Sequence, residues 1–265
     1  SPRSSFRKTA RTLLVAVSRS GATTETLRAV EKFRAEGNGR VLTISCYGDA
    51  PLAQMGDVNV VLPSGQEQSM AQTRAFTVLH LATTAFAALW ANDSRLMDEL
   101  AQLPEAGRLL FERHRNLAER WGRDLSIERF YFLGTGARYG LAAELSLKMK
   151  EMTLSHSEPF HFMEFRHGPQ SMVTSDTLMV GLVAQTNAGN ETQVLREMRQ
   201  RGANIFAQGA ADTDVSFAAQ LSEIAANVLY MPMGQLMAFE RAIAKGQDPD
   251  APKNLSAVVR LDENA

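Results

Sequence analysis

The stretch Leu13-Leu14-Val15-Ala16-Val17 runs directly into Ser18-Arg19-Ser20-Gly21-Ala22-Thr23-Thr24. Five consecutive apolar residues read as a strand buried on both faces. Beyond the Ser/Gly/Thr-rich turn, Leu27, Val30 and Phe33 recur at helical spacing until Gly37 stops them. Strand, turn and helix make the first half of a β-α-β unit. Residues 41–45 supply its second strand and 58–62 a third. The same alternation returns downstream. Helices are predicted over 69–91 and 94–121, then a strand at 130–133, a Gly-rich turn and a helix over 139–154. Strands follow at 178–184, 204–207 and 228–231, with helices over 191–201 and 233–245. This order predicts an α/β protein with helices layered on mostly parallel sheets.

The first unit recurs. Leu13–Val17, Glu25-Thr26, Gly37 and Arg40-Val41-Leu42 align with Leu178–Leu182, Glu191-Thr192, Gly202 and Asn204-Ile205-Phe206. Each copy is followed by a short apolar run ending in Leu62-Pro63 or Met231-Pro232. Two similar halves are expected, over 1–110 and 111–265. Ahead of its repeat, the second half also carries a strand, the turn Gly134-Thr135-Gly136 and a helix. By analogy, a strand and helix are expected upstream of Ser1, leaving the first lobe N-terminally incomplete.

Composition bounds the function. With 265 residues, 45% hydrophobic and 22% charged, the chain can bury a core of one large or two modest domains. A formal charge of −1 argues against nucleic-acid or anionic-membrane partners, which call for a basic excess. The apolar stretch 79–91 is interrupted by His80, Thr83 and Thr84 and is too short to span a bilayer. Residues 1–11 are basic but lack an apolar signal core. The single Cys46 excludes an internal disulfide or a multi-cysteine zinc site, and a cytoplasmic location is the default. No histidine pair has helical ligand spacing, so neither metal nor cofactor is expected.

Four stretches could carry chemistry. Residues 18–24 place the hydroxyls of Ser18, Ser20 and Thr23, with backbone amides, at a helix start beyond the C-terminal end of a strand. Such a turn suits a phosphate. It reads equally as an N-cap and tight turn. The corresponding turn, Ala184-Gln185-Thr186-Asn187-Ala188-Gly189, lacks the hydroxyl pattern. On the helix over 139–154, Leu141, Leu145, Lys148 and Met152 share a stripe, with Glu144 and Glu151 beside it. Lys148 and Glu151, three apart, are either a helical ion pair or a proton-transfer pair. In Glu164-Phe165-Arg166-His167-Gly168-Pro169 the Gly-Pro step fixes the direction of the histidine. His80 and His114 fall in helices, while His156 and His161 could line a site. The tail, residues 245–255, is polar and Pro-punctuated, suited to the surface or to folding over a site.

In this order, these stretches resemble the sugar isomerase (SIS) domain family. The pattern is similar to the isomerase half of glucosamine-6-phosphate synthase and to phosphosugar isomerases and deaminases. Gly65-Gln66-Glu67, Thr73-Arg74-Ala75-Phe76-Thr77 and Phe132-Leu133-Gly134-Thr135-Gly136 add to it. The resemblance implies two doubly wound αβα lobes with parallel sheets, in a homodimer. It implies that Ser18, Arg19, Ser20, Gly21 and Thr23 hold a sugar phosphate. Glu151 becomes the catalytic base, Lys148 its helper, and His167, from the neighbouring subunit, opens the sugar ring. One departure stands out. Synthase-type members carry a Schiff-base lysine three residues after the Asn-Leu of the tail, where this chain has Ala257 after Asn254-Leu255-Ser256; Lys253 is out of register. The expectation is a phosphosugar isomerase acting on a sugar or amino-sugar 6-phosphate. The alternatives are an amino-sugar-phosphate deaminase, an enzyme resembling glutamine–fructose-6-phosphate aminotransferase, or a non-catalytic sugar-phosphate sensor.

Overall fold

The computed structural model describes residues 12–37, 39–209, 211–217 and 220–253. The basic start, residues 1–11, and the tail positions Asn254, Leu255, Ser256 and Ala257 lie outside them. Contact density divides the chain into two compact units within one helix, between Ala82 and Thr83.

The first unit is a parallel sheet in the order β1-β2-β3, of β1 (Thr12–Ser18), β2 (Gly39–Ser45) and β3 (Val58–Val61). Helix α1 (Thr24–Ala35) covers one face, burying Val30 and Phe33 against Ala16, Val41 and Leu52. The expectation of a strand buried on both faces is corrected for β1. Only Ala16 in it is fully buried, and Val17 is exposed. Among the described residues β1 pairs on one side only, with β2, and α1 covers the face of Leu14 and Ala16. An unbroken apolar run does not reveal how many neighbours a strand has.

Helix α2 (Arg74–Ala91) starts five residues later than the predicted 69. The Glu67 carboxylate takes the amides of Thr73, Arg74 and Ala75 at 3.1 Å each, capping the helix where it begins. The helix predicted over 94–121 is two, α3 (Ser94–Ala101) and α4 (Leu103–Arg123). Pro104 opens the second, since it has no amide hydrogen for the preceding turn and suits a first helical turn.

The second unit carries a five-stranded parallel sheet, ordered β5-β4-β6-β7-β8. Its strands are β4 (Arg129–Leu133), β5 (His156–Phe160), β6 (Thr177–Val183), β7 (Asn204–Gly209) and β8 (Val215–Ser216). The helices are α5 (Ala137–Thr153), α6 (Phe162–Phe165), α7 (Ala188–Gln200), α8 (Glu223–Ala226) and α9 (Met231–Ala244). Here the apolar runs are buried on both faces: every residue of β6 is buried, and Phe130, Phe132 and Leu133 are fully enclosed. One face of the sheet packs Tyr131, Met179 and Ile205 against α6 and α7. The other packs α5, against which α9 lies in turn.

Two readings change. Residues 228–231 are not a strand; Asn227–Tyr230 form a 3-10 turn leading into α9. Four apolar residues before a proline are buried equally well in either form, and periodicity cannot separate them. The third strand of the second repeat is therefore β8, and β6-β7-β8 matches β1-β2-β3. Strand β5 escaped the pattern because it contains Glu158 and Pro159. As an edge strand it tolerates a residue without a donor.

Candidate functional site

In the first unit, β1 ends at Ser18 and the chain turns at Gly21, whose φ is +63°. A side chain here would be strained and would drive its Cβ to 2.8 Å from Ala50 Cβ. The Gly21 carbonyl accepts the Leu52 amide at 2.9 Å, tying the turn to the sheet. Ser18 Oγ accepts the Gly21 amide at 3.2 Å and lies 3.1 Å from Thr23 Oγ1. Ser20 Oγ accepts the Ala22 amide at 3.2 Å. Thr23 is the N-cap residue of α1, yet its side chain makes no bond to the helix. Three half-buried hydroxyls thus ring a helix start with no side-chain cap, where the dipole favours an anion by about 0.3–1 kcal/mol. Arg19 is placed differently. Its guanidinium donates to the Ser69 carbonyl at 2.9 Å and sits 3.9 Å from Glu67, both side chains 7% exposed. It braces the 66–75 loop, and the backbone of Arg19 is the part that belongs to the turn.

In the second unit, Lys148 lies on the apolar stripe of α5 and is 2% exposed. Its ammonium donates to Glu151 Oε2 and is 3.5 Å from Glu144 Oε1. The buried ammonium thus lies between two carboxylates. Glu151 keeps part of its side chain, 19%, open to solvent, whereas Lys148 is buried. Glu144 was read only as a neighbour; its spacing of four from Lys148 was the available signal.

His167 is exposed on a turn of its own in the same unit. Its amide donates to the Glu164 carbonyl at 2.8 Å. Gly168, at φ +144°, takes a conformation that a side chain resists, and Pro169 opens the next turn. The anticipated residues therefore form three groups: the hydroxyl turn, the Lys148–Glu151 pair and the His167 turn.

The other histidines sort by burial and stacking. His80 stacks on Phe76 at 6.2 Å, and burial lowers its pKa. Burial, then Arg113, lowers that of His114. His161 stacks on Tyr139 with ring centroids 4.3 Å apart. His156 lies 3.4 Å from Glu158.

Sequence reading missed the group that fills the second repeat's turn. Glu191, fully buried, accepts the Ala184 amide at 2.7 Å and pairs with Arg138 at 3.2 Å. Arg138 also donates to the Leu182 carbonyl at 3.1 Å and approaches Glu223 to 3.6 Å. Glu223 accepts the amide and hydroxyl of Thr186 at 2.7 and 3.0 Å. Elsewhere in this unit, a cleft of about 460 Å³ between α7 and the β7–β8 connection contains none of the anticipated residues. No helix among the described residues is long and apolar enough to cross a membrane.

Comparison with known proteins gives a consistent picture. The glutamine–fructose-6-phosphate aminotransferase (isomerizing) of Pyrobaculum aerophilum is 30% identical over 264 residues, covering 94% of this chain and 44% of that protein. The Vibrio cholerae enzyme of the same name is 30% identical over 272 residues, with the same coverage. The chain thus spans less than half the length of these curated relatives. Among solved structures, glucosamine-6-phosphate deaminase from Thermotoga maritima superposes with a TM-score of 0.82 at 25% identity, covering 96% of this chain and 76% of that one. The C-terminal domain of the Francisella tularensis glucosamine-fructose-6-phosphate aminotransferase gives 0.76 at 26% identity, covering 91% and 73%. The SIS domain profile matches residues 7–89 and 126–235, spanning the hydroxyl turn, the Lys148–Glu151 pair and the His167 turn. On this match, and on the two parallel-sheet units that carry it, the chain belongs to the SIS domain family.

Proposed function

We propose that this protein is a phosphosugar isomerase, moving a proton between adjacent carbons of a sugar or amino-sugar 6-phosphate. The observation that carries this reading is the Lys148–Glu151 pair, a carboxylate open to solvent on one side and clamped by a buried ammonium on the other. Ser18, Ser20 and Thr23, with the backbone of Arg19 and Gly21, take the phosphate. His167 opens the ring by moving a proton between the ring oxygen and the anomeric hydroxyl. Glu151 then removes the proton from the carbon beside the carbonyl. The C–H electron pair forms a carbon–carbon double bond and the carbonyl π pair moves onto its oxygen, giving an enediolate or enolamine. A proton passes to that oxygen from the neighbouring hydroxyl or amino group, and the Glu151 carboxyl returns the first proton to the former carbonyl carbon. Lys148 steadies the charge. Positioned acid–base catalysis of this sort contributes about 10²–10⁴ in rate. In this reading the protein is a cytoplasmic homodimer, each His167 serving the partner subunit.

NMR in D₂O with a panel of hexose and hexosamine 6-phosphates tests it. Deuterium is expected at C1 or C2 of at least one of them, and no exchange with any sugar overturns the reading.

A deaminase is the second reading, favoured by the likeness to the Thermotoga maritima deaminase and by Ala257. A Schiff base needs an amine within bonding reach, and alanine has none. We therefore expect activity to survive borohydride in the presence of substrate, with no sugar mass added to the chain. Ammonia release from glucosamine 6-phosphate separates the deaminase from the isomerase. A trapped adduct on Lys253 returns the aminotransferase-like alternative to first place.

A further inference from the structure

The turn carrying His167 is fastened through the residue before it. Arg166 Nε and Nη2 donate to the two carboxylate oxygens of Glu197 at 2.8 and 2.6 Å. This bidentate fork fixes direction as well as distance. Glu197 belongs to α7 and also accepts Gln193 Nε2 at 3.1 Å. The bond from Arg166, then that from Gln193, holds the Glu197 carboxyl below the ordinary carboxylate range. On the other side of His167, Gln170 Nε2 donates to the Arg166 carbonyl at 2.6 Å, across the Gly168-Pro169 step. Phe162 and Phe165, both fully buried, anchor the approach to the turn. Arg166 is thus gripped by its side chain from α7 and by its backbone from Gln170, which fixes the backbone that carries His167.

We propose that Arg166 and Glu197 are positioning residues that hold the His167 imidazole in place for ring opening. This rests on the role proposed above for His167. The pair touches no reacting atom; it acts through the turn. A group displaced by about 1 Å from its productive position can cost about 10²-fold in rate.

The test uses the full chain with Glu197→Gln, Arg166→Met and the charge-swapped double variant Arg166→Glu/Glu197→Arg. Two readouts are taken: the ring signals of His167 by histidine-selective NMR, assigned with His167→Asn, and the split of turnover into kcat and KM. Glu197→Gln and Arg166→Met are expected to broaden or split the His167 signals. They are expected to lower kcat by up to about 10²-fold with KM little changed. The charge swap is expected to restore a single set of signals and much of kcat. Unchanged His167 signals in folded Glu197→Gln overturn the proposal, and so does an unchanged kcat. Glu197→Gln is nearly isosteric, so the test stands even if Arg166→Met fails to fold. If the signals respond as expected but no sugar phosphate is turned over even by the wild type, the positioning pair stands and the functional reading fails.

Discussion

The turn after β1 and the turn after β6 hold the same place in two copies of one strand–helix–strand unit, and their polar groups serve different ends. After β1, the side chains of Ser18, Ser20 and Thr23 crowd a helix start that none of them caps. After β6, a protein carboxylate lies against the turn: Glu191 accepts the Ala184 amide and pairs with Arg138. In the proposed reading the first turn receives an anion, the substrate phosphate, whereas the second already holds a carboxylate of its own. The second unit, its turn sealed, carries the Lys148–Glu151 pair.

The largest expected effect tests that division. Glu151→Gln removes the base and keeps the shape, so isotope exchange is expected to fall by about 10²–10⁴ while phosphosugar affinity stays near wild type. Exchange retained at wild-type rate, followed by NMR in D₂O, removes Glu151 from the chemistry.

Next comes the seal itself. Glu191→Ala leaves a buried guanidinium short of its partner and is expected to cost about 3–5 kcal/mol, read from urea unfolding. Glu25, the first glutamate after β1, is exposed, and Glu25→Ala is expected within about 0.5 kcal/mol of wild type. Equal losses would erase the contrast between the two turns.

A smaller change probes the open turn. Ser20→Ala with Thr23→Val is expected to weaken phosphosugar binding by about 1.5–3 kcal/mol, measured by calorimetry. Thr186→Val, in the sealed turn, is expected to leave affinity unchanged. Unchanged affinity in the double variant rules out the hydroxyl turn as the phosphate site.

The smallest effect is one of pH. Burial pushes the Glu223 carboxyl up, but the Thr186 amide and hydroxyl and the Arg138 charge outweigh it and leave its pKa below the ordinary value. The folded state then binds fewer protons than the unfolded one. The stability this contributes is present above the unfolded pKa and is lost as pH falls through the folded one. Glu223→Gln is expected to flatten that part of the acid loss in urea midpoint; an identical profile in wild type and variant removes Glu223 from the seal.

Much of this was legible in the residues. The turn chemistry of 18–24, the spacing of three between Lys148 and Glu151 and the rigid His167-Gly168-Pro169 step are local properties, and local rules read them. So is the alternation that puts helices between parallel strands. The misreadings share a cause. Residues 228–231 and β1 were judged by apolar content, which records that a segment is covered but not by what. The break at Gln102 and the late start of α2 were decided by Pro104 and by the Glu67 carboxylate, single groups set against longer periodic runs.

What the sequence by itself determined is the repeat, the residue types in each turn and the side of α5 on which a lysine and two glutamates fall. What only the tertiary structure decided is where a carboxylate points. Glu25-Thr26 and Glu191-Thr192 are the same pair of residues in the first turns of the helices that follow β1 and β6. One glutamate is exposed and the other fully buried. The difference arises from a neighbour distant in sequence. Strand β6 has β4 beside it, and α5, which follows β4, delivers Arg138 to the end of β6. Among the described residues β1 has only β2. A buried carboxylate requires a partner charge, and among the described residues the sheet order supplies one to Glu191 and none to Glu25.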